Sequence, residues 1–426
     1  MKKIAVIGGG ITGITTAYAL AKQGFAVTLF ERHRYAAMET SFANGGQLSA
    51  SNAEVWTHHS TILKGLKWML KSDAPLLVNP KPSWHKISWF AEFMASMKDY
   101  ERNTVETARL AVAARQHLFA WAHEERIDFD LKKQGILHIY RDKKGFDHAG
   151  KVSALLAKGG LPRQAVTPEE MKAIEPTLAG NYYGGYFTES DSTGDIHKFT
   201  TGLALAAQRL GVRTLYDQDV TSVSSDNQTA TIKVAHTDSP PTVHSFDGVV
   251  VCAGVASKQF AAQLGDRVNI YPVKGYSITV NLNDQESQAG APQVSLLDDE
   301  TKLVTSRLGV DRFRVAGTAE FNGYNKDIRA DRIKPLIDWV QQCFPKINTR
   351  SVVSWAGLRP MMPNMMPKVG RGKAANVFYN TGHGHLGWTL SAMTADMVAD
   401  IVVQQMTGVN QTPKHQYKLG QLNPAK

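Results

Sequence analysis

Cysteine is nearly missing from this chain of 426 residues: the two that occur, Cys252 and Cys343, lie far apart and form no CxxC pair. That excludes c-type haem attachment, cysteine-held iron–sulfur clusters and most structural zinc sites, and it fits a reducing compartment. Uninterrupted apolar runs never approach the roughly 18 residues that a membrane-crossing helix needs. Internal repeats and low-complexity tracts are missing too. Acidic residues are in deficit, 38 against 48 lysines and arginines, for a formal net charge of +10. A basic chain suits nucleic acid, anionic lipid or anionic small molecules. No arginine-rich tract or recognition-helix pattern accompanies the charge, which counts against nucleic acid. What is present is ordinary soluble composition, 43% hydrophobic and 20% charged. At roughly 150 residues per domain the length allows two or three domains.

The 35 glycines cluster, so their positions carry information. Met1-Lys2-Lys3 and the apolar residues after it superficially resemble a secretory leader, but Gly8, Gly9 and Gly10 interrupt the apolar stretch. The same residues read better as strand (Lys3 to Ile7), glycine turn (Gly8-Gly9-Gly10-Ile11-Thr12-Gly13) and helix, with Ile14, Ala17, Tyr18 and Ala21 at helical spacing. Gly24 closes the helix, and Phe25 to Phe30 forms a second buried strand with Glu31 at its end. In such a βαβ unit Gly8 makes the tight turn, Gly10 admits a pyrophosphate and Gly13 lets helix and sheet pack closely. The helix N-terminus faces the phosphates, and an acid about 20 residues further on accepts from a ribose hydroxyl while repelling a 2′-phosphate. The pattern predicts FAD or NAD rather than NADP. A glycine-rich turn that merely packs a helix on a sheet is the plainer reading, and it leaves Glu31 without a role.

Near the other end, Asn376 to Asn380 reads as a strand, Thr381 to Trp388 as a glycine loop and Thr389 onward as a helix with Leu390, Met393, Met397 and Ile401 on its buried stripe. A helix start beside a flavin would stabilise the anion at N1 and C2=O. His383 and His385 either contact that flavin or pack in the loop. Without a third ligand at suitable spacing they are not a metal site.

Taken together, these segments resemble the FAD-dependent D-amino-acid oxidase superfamily, and within it the bacterial D-amino-acid dehydrogenase small-subunit group. The likeness is carried by the N-terminal fingerprint, Glu39 to Gln47, Tyr271-Pro272-Val273-Lys274-Gly275-Tyr276-Ser277, Gly357-Leu358-Arg359-Pro360-Met361 and Asn380 to Thr389. It implies oxidation of an amino acid by bound FAD, with electrons leaving to a membrane quinone or similar acceptor. It also implies that Thr40, Ser41, Ala43, Asn44, Gly45, Gly46, Gln47 and Leu48 pass beside the cofactor. Gly8, Gly10, Ile11, Thr12, Gly13, Glu31, Arg32, Val220, Ala253, Gly254 and Gly357 are expected to join them, with Gly382, His383, Gly384, His385, Leu386, Gly387, Trp388 and Thr389 at the flavin end. Arg359 falls where relatives hold the substrate carboxylate, with Tyr276, Lys274, Gln47 and His385 as further substrate contacts, and Arg359, Tyr276 and His383 as catalytic candidates. The chain departs from the usual Thr-Pro-Asp-Gly-Thr-Pro with Met362-Pro363-Asn364-Met365-Met366-Pro367, lacks the proline that often follows Ser49, and carries Phe42 for a small residue. These changes bear on the substrate more than on the chemistry.

Read as residues, Arg359 suits a carboxylate because a planar guanidinium fixes orientation as well as charge. A surface or acid-paired arginine is its plainer alternative. Tyr276 and Lys274 alternate on a predicted strand and can face one side, although Lys274 equally suits a phosphate or solvent. Arg307 and Arg314 are expected to be solvated. Met361, Met362, Met365 and Met366 either give the pocket a soft wall or fill the core.

The fold class expected is α/β, a Rossmann-like FAD domain plus a substrate domain on a mixed or antiparallel sheet. The flavin domain spans 1–55, 191–262 and 350–426, and the substrate domain 56–190 and 263–349, with a helical insertion at about 56–125. Phe199 to Leu210 reads as a helix, and Gly135 to Tyr140, Gly184 to Phe187, Tyr271 to Leu282 and Arg312 to Ala316 as the sheet that covers the flavin. Ser239-Pro240-Pro241 and Asp284 to Pro292 read as surface loops. From Trp56 to Phe93, Lys64, Lys67, Lys71, Lys81 and Lys86 interleave with Trp56, Trp68, Trp84, Trp89 and several aliphatics. Such a segment either lies in a membrane interface or packs as a helical insertion. The expectation is thus hydride transfer from a D-amino acid to flavin, electron delivery to a quinone or other non-oxygen acceptor and a cytoplasmic location, peripheral on the cytoplasmic face of the inner membrane. Glycine, N-methyl, cyclic or L-amino acids are the alternative substrates on the same fold.

Overall fold

The computed structural model describes residues 1–58, 75–235 and 240–408. Lys3–Ile7 is a buried β-branched strand paired in parallel with Ala26–Phe30 on one side and Gly248–Val251 on the other. Val377–Thr381 and Arg213–Leu215 extend the parallel layer, and Lys368–Arg371 adds an antiparallel edge, giving a six-stranded sheet. Strands buried on both faces need helices over them. Ile11–Lys22, Ile196–Arg209 and Gly387–Thr407 supply that cover and share one apolar core with the sheet. Gly8 and Gly13 allow the first helix to come this close: a Cβ on Gly13 would sit 1.8 Å from the Gly8 carbonyl oxygen.

A nine-stranded mixed sheet forms the second layer. Its path runs Val352–Met361, Tyr271–Asn281, Arg312–Phe321, Leu303–Leu308, Ser295–Asp298, Ile136–Tyr140, Gly184–Thr188 and Gln164–Val166, with Leu76–Val78 paired to Arg312–Phe321. All four strands expected to cover the cofactor lie in it. Val352–Met361 belongs to this sheet, so the chain rejoins the parallel layer only at Lys368. A three-stranded antiparallel ribbon, Asp219–Ser225, Ala230–Ala235 and Thr242–Phe246, stands beside the parallel sheet.

Several expectations are corrected. The loop expected over Asp284 to Pro292 contains the short helix Gln285–Gly290, capped by the Asp284 side chain accepting from Ser287 N at 2.7 Å. Arg307 and Arg314 are buried. Arg307 donates to the carbonyls of Gln288, Ala291 and Val310, and Arg314 donates to Thr279 Oγ1. Met361, Met365 and Met366 are core residues, with Thr107 Oγ1 donating to Met366 Sδ, so the departure at 362–367 repacks the interior rather than the cavity wall. Of the basic aromatic segment, residues 59–74 and with them Lys64, Lys67, Trp68 and Lys71 lie outside the described residues, as does Ser239. Lys86 is buried and donates to Lys81 O at 2.6 Å, so it is not a membrane-facing lysine. One helical stretch among the described residues, Gly384–Thr407, is long and apolar enough to cross a membrane, and it is packed inside the molecule.

Candidate active site

A cavity of about 710 Å³ opens between the N-terminus of Ile11–Lys22 and the large sheet, within the size range of cofactor sites. Gly8 turns at φ +108°, a left-handed conformation that a side chain would strain. Gly10 caps the helix without any side-chain hydrogen bond, leaving backbone N–H groups directed at the cavity. Glu31 is pinned from both sides, accepting from Gly9 N at 2.6 Å and His33 N at 2.9 Å.

The segment 40–47 bridges this helix end to the sheet. Ser41 Oγ accepts from Ile11 N at 3.0 Å and Thr40 donates to Leu358 O at 2.9 Å. From the sheet, Ser277 donates to Ala43 O and Ser306 to Gly45 O, at 2.8 and 2.7 Å. Gly45 and Gly46 make the approach possible, since a Cβ on either would lie under 3 Å from Val304 or Ser306. Gln47 donates to Ser295 Oγ and Leu296 O.

On the facing strands, Ser277 pairs with Trp355, Gly275 with Gly357 and Val273 with Arg359. Alternate side chains share a sheet face, so Trp355 and Arg359 lie together over the two glycines, the Trp355 ring across Gly357, where a Cβ would be 2.0 Å away. The Arg359 guanidinium lies across Gly275, where a Cβ would be 2.3 Å away. It donates to Thr318 O at 2.8 Å and Gly317 O at 3.4 Å, and burial pushes its pKa down to about 10. Among the described residues no carboxylate pairs with it. Thr318 adopts φ +53°, which costs a β-branched residue on the order of 1–3 kcal/mol, at the irregularity where the register of the two strands shifts. That conformation turns its carbonyl toward Arg359.

The same two-residue period corrects two expectations. Lys274 and Tyr276 do face one side together, but it is the side away from Arg359. Lys274 is buried against Glu320 at 3.3 Å and donates to Asn325 and to Asp327 O. The Tyr276 hydroxyl donates to Glu320 at 2.6 Å and, with its charge state disfavoured by burial, is held neutral. Tyr276 borders the cavity while its hydroxyl points elsewhere, and Lys274 does not line it. His383 borders the cavity, but its ring engages Thr394 Oγ1 at 3.0 Å and burial lowers its pKa to about 3, which favours the packing reading over a catalytic one. Leu48 is in the core and Gly13 lies behind the turn, both outside the cavity lining.

His385 does reach the cavity. Its Nε2 meets Asn52 O at 3.0 Å, its ring stacks on Trp56 at 5.1 Å, and burial with Arg359 and Lys302 nearby lowers its pKa to about 4. The remaining expected contacts all line the same space: Gly8, Gly10, Ile11, Thr12, Glu31, Arg32, Thr40, Ser41, Ala43, Asn44, Gly45, Gly46, Gln47, Val220, Ala253, Gly254, Gly357 and Gly382 to Thr389. Missed from sequence were Asn52, Glu54, Trp56, His148, Asp299, Lys302, Thr318 and Trp355, which come from five separate stretches. Only Trp355 had a local signal, two residues before the Gly357-Leu358-Arg359-Pro360-Met361 motif.

A helix start capped only at Ile11 N by Ser41, close backbone approach and a buried acid are the parts a dinucleotide needs, and the cavity runs unbroken from them to Arg359. Comparison with known proteins agrees. The profile of the family described as FAD dependent oxidoreductase matches residues 3–401. "D-amino acid dehydrogenase 3" of Mesorhizobium japonicum is 60% identical over 406 residues, covering 95% of this chain and 98% of that protein. A D-amino acid dehydrogenase of Paramagnetospirillum magneticum is 40% identical, with 94% of each chain covered. Among solved structures, glycine oxidase from Geobacillus kaustophilus superimposes with a TM-score of 0.76 at 21% identity, over 97% and 98% of the two chains.

Proposed function

The chain belongs to the FAD dependent oxidoreductase family, and from that premise we propose that it oxidises D-amino acids to imino acids, which hydrolyse to 2-oxo acids and ammonia, as a dehydrogenase that delivers electrons to a quinone. The observation that carries the reading is the Arg359 guanidinium, half-buried at the cavity, whose hydrogen-bond partners among the described residues are backbone carbonyls. A substrate carboxylate supplies the missing counter-charge in a bidentate, oriented pair. The names of the two curated relatives support the dehydrogenase and D-specific parts.

FAD, when bound, supplies the two-electron acceptor that takes hydride at flavin N5. Arg359 would bind and orient the substrate, Trp355 and Trp56 would keep water from the space between, and 40–47 with 382–389 are the segments that would hold the cofactor. A His385 pKa of about 4 makes it too weak a base to take a proton from an ammonium group, so its part is packing and hydrogen bonding. No protein base is needed if the amine reacts neutral.

Quinone reduction calls for a membrane contact. The helix Trp84–Ala95 supports one, since it leaves Trp84, Ile87 and Met94 exposed on one face with Lys81 and Lys98 exposed at its ends. The location that follows is peripheral, on the cytoplasmic face of a membrane. The deciding experiment is anaerobic flavin bleaching by paired D- and L-amino acids, glycine, sarcosine and proline, then reoxidation by air or by a quinone. Fast bleaching by D-enantiomers with quinone-dependent recovery is expected. Faster bleaching by sarcosine, glycine or an L-enantiomer overturns D-specificity.

A further inference from the structure

The cavity has a second polar wall beyond Arg359. Gly317, whose carbonyl accepts from Arg359, packs face-on against the Lys302 backbone, where a Cβ would meet the Lys302 carbonyl oxygen at 2.3 Å. The turn 299–302 therefore stands next to the carboxylate clamp. Lys302 Nζ donates to Asp299 at 2.5 Å, and both residues line the cavity. Across from them is Glu54. Its Oε1 accepts from the Tyr100 hydroxyl at 2.7 Å and lies 3.5 Å from His148 Nε2. Its Oε2 has no hydrogen-bond partner among the described residues. The side chain is 28% exposed, and Glu54 borders the same cavity as Arg359. Trp56, two residues on, stacks on His385.

We infer that Glu54 is a specificity-determining residue that selects amino acids whose side chain ends in a hydrogen-bond donor, a hydroxyl or an ammonium. A carboxylate is acceptor-only, so an apolar side chain would leave Oε2 desolvated and unpaired, and an acidic one would meet like charge. Tyr100 and His148 occupy one oxygen and aim the other. Glu54 and Asp299 together outnumber Lys302, which favours a donor over an acceptor at this wall. The inference rests on the amino-acid dehydrogenase reading above.

The test compares matched substrates, D-ornithine against D-norvaline and D-serine against D-2-aminobutyrate, by kcat/KM for anaerobic flavin reduction. In the native holoenzyme the donor-bearing member of at least one pair is expected to be preferred about tenfold or more, because sites built to hydrogen-bond a substrate reject the analogue lacking the group. D-glutamate should be the poorest of the linear substrates. Glu54→Leu should collapse the preference to near unity, and Glu54→Gln should lower it most for the ammonium pair. If Glu54→Leu fails to retain FAD, Tyr100→Phe, which frees the carboxylate to rotate, decides the matter through a reduced ratio. Equal rates within each pair in the native enzyme, or ratios unchanged in the variants, overturn the role of Glu54. Failure of every amino acid to bleach the native flavin would instead overturn the function on which it rests.

Discussion

Arg359 shows how much a single side chain depends on residues that have none. Its guanidinium lies flat because Gly275 offers no Cβ, and it is aimed by the carbonyls of Gly317 and of the strained Thr318. Arg359→Ala should retain FAD and lose at least about 3 kcal/mol of transition-state binding, roughly a hundredfold or more in kcat/KM. Arg359→Lys should recover little of it, because an ammonium cannot make the bidentate pair. Gly275→Ala is the sharper test. It leaves the charge in place and displaces it, so KM for the amino acid should rise about tenfold or more while flavin absorbance stays native. A Gly275→Ala enzyme with unchanged steady-state kinetics would remove Gly275 from the account.

Among the elements, the Tyr271–Asn281 strand was correctly read as alternating, and its two candidate side chains do share a face. Periodicity relates the residues of one strand to each other and says nothing of which face meets the cofactor. That choice came from pairing with Val352–Met361, which puts Val273, Gly275 and Ser277 on the side of Arg359 and leaves Lys274 and Tyr276 with Glu320. The first helix was more legible, because its glycines answer to local geometry. Gly13→Val would drive a side chain into the Gly8 carbonyl, so the protein should be purified colourless or fail to fold, as measured by the flavin-to-protein absorbance ratio. A yellow, saturated Gly13→Val protein would mean the helix can slide away from the strand. The helix Tyr100–Glu124 was not distinguished within the expected insertion, since its buried face is built largely of Ala108, Ala111, Ala114 and threonines, a weak hydrophobic signal.

The whole molecule has an acid sensitivity that no single element reveals. His138 and His383 are almost fully buried and held neutral, with pKa values lowered from 6.5, in His383 to about 3, chiefly by burial. In the unfolded chain both bind a proton near their ordinary pKa, and in the folded one they do not. The stability that this neutrality represents is complete above about pH 6.5 and is lost as pH falls, at about 1.4 kcal/mol per pH unit for each histidine. Carboxylates with lowered pKa, such as Glu39 at about 2, act only below the ordinary carboxylate range. The urea midpoint should therefore drop between pH 7 and 5, before carboxylates titrate. A flat midpoint across that interval would show that the two histidines take up protons without unfolding.

The fold class and the nucleotide fingerprint could be read from the linear chain, because each depends on residues within one strand–turn–helix, whereas FAD over NAD and the part given to Arg359 came with the family resemblance. The second polar wall could not. Glu54, His148, Asp299 and Lys302 are polar residues with no local periodicity, and they share a cavity with Arg359 only because tertiary packing brings distant strands and turns together. His383 and His385 make the same point at two residues' separation. Both border the cavity, but one ring is engaged by Thr394 of the following helix and the other by Asn52 O, a partner 333 residues away. Local backbone chemistry is written in neighbouring residues, whereas the composition of a cavity wall is set by which faces the tertiary packing turns toward it.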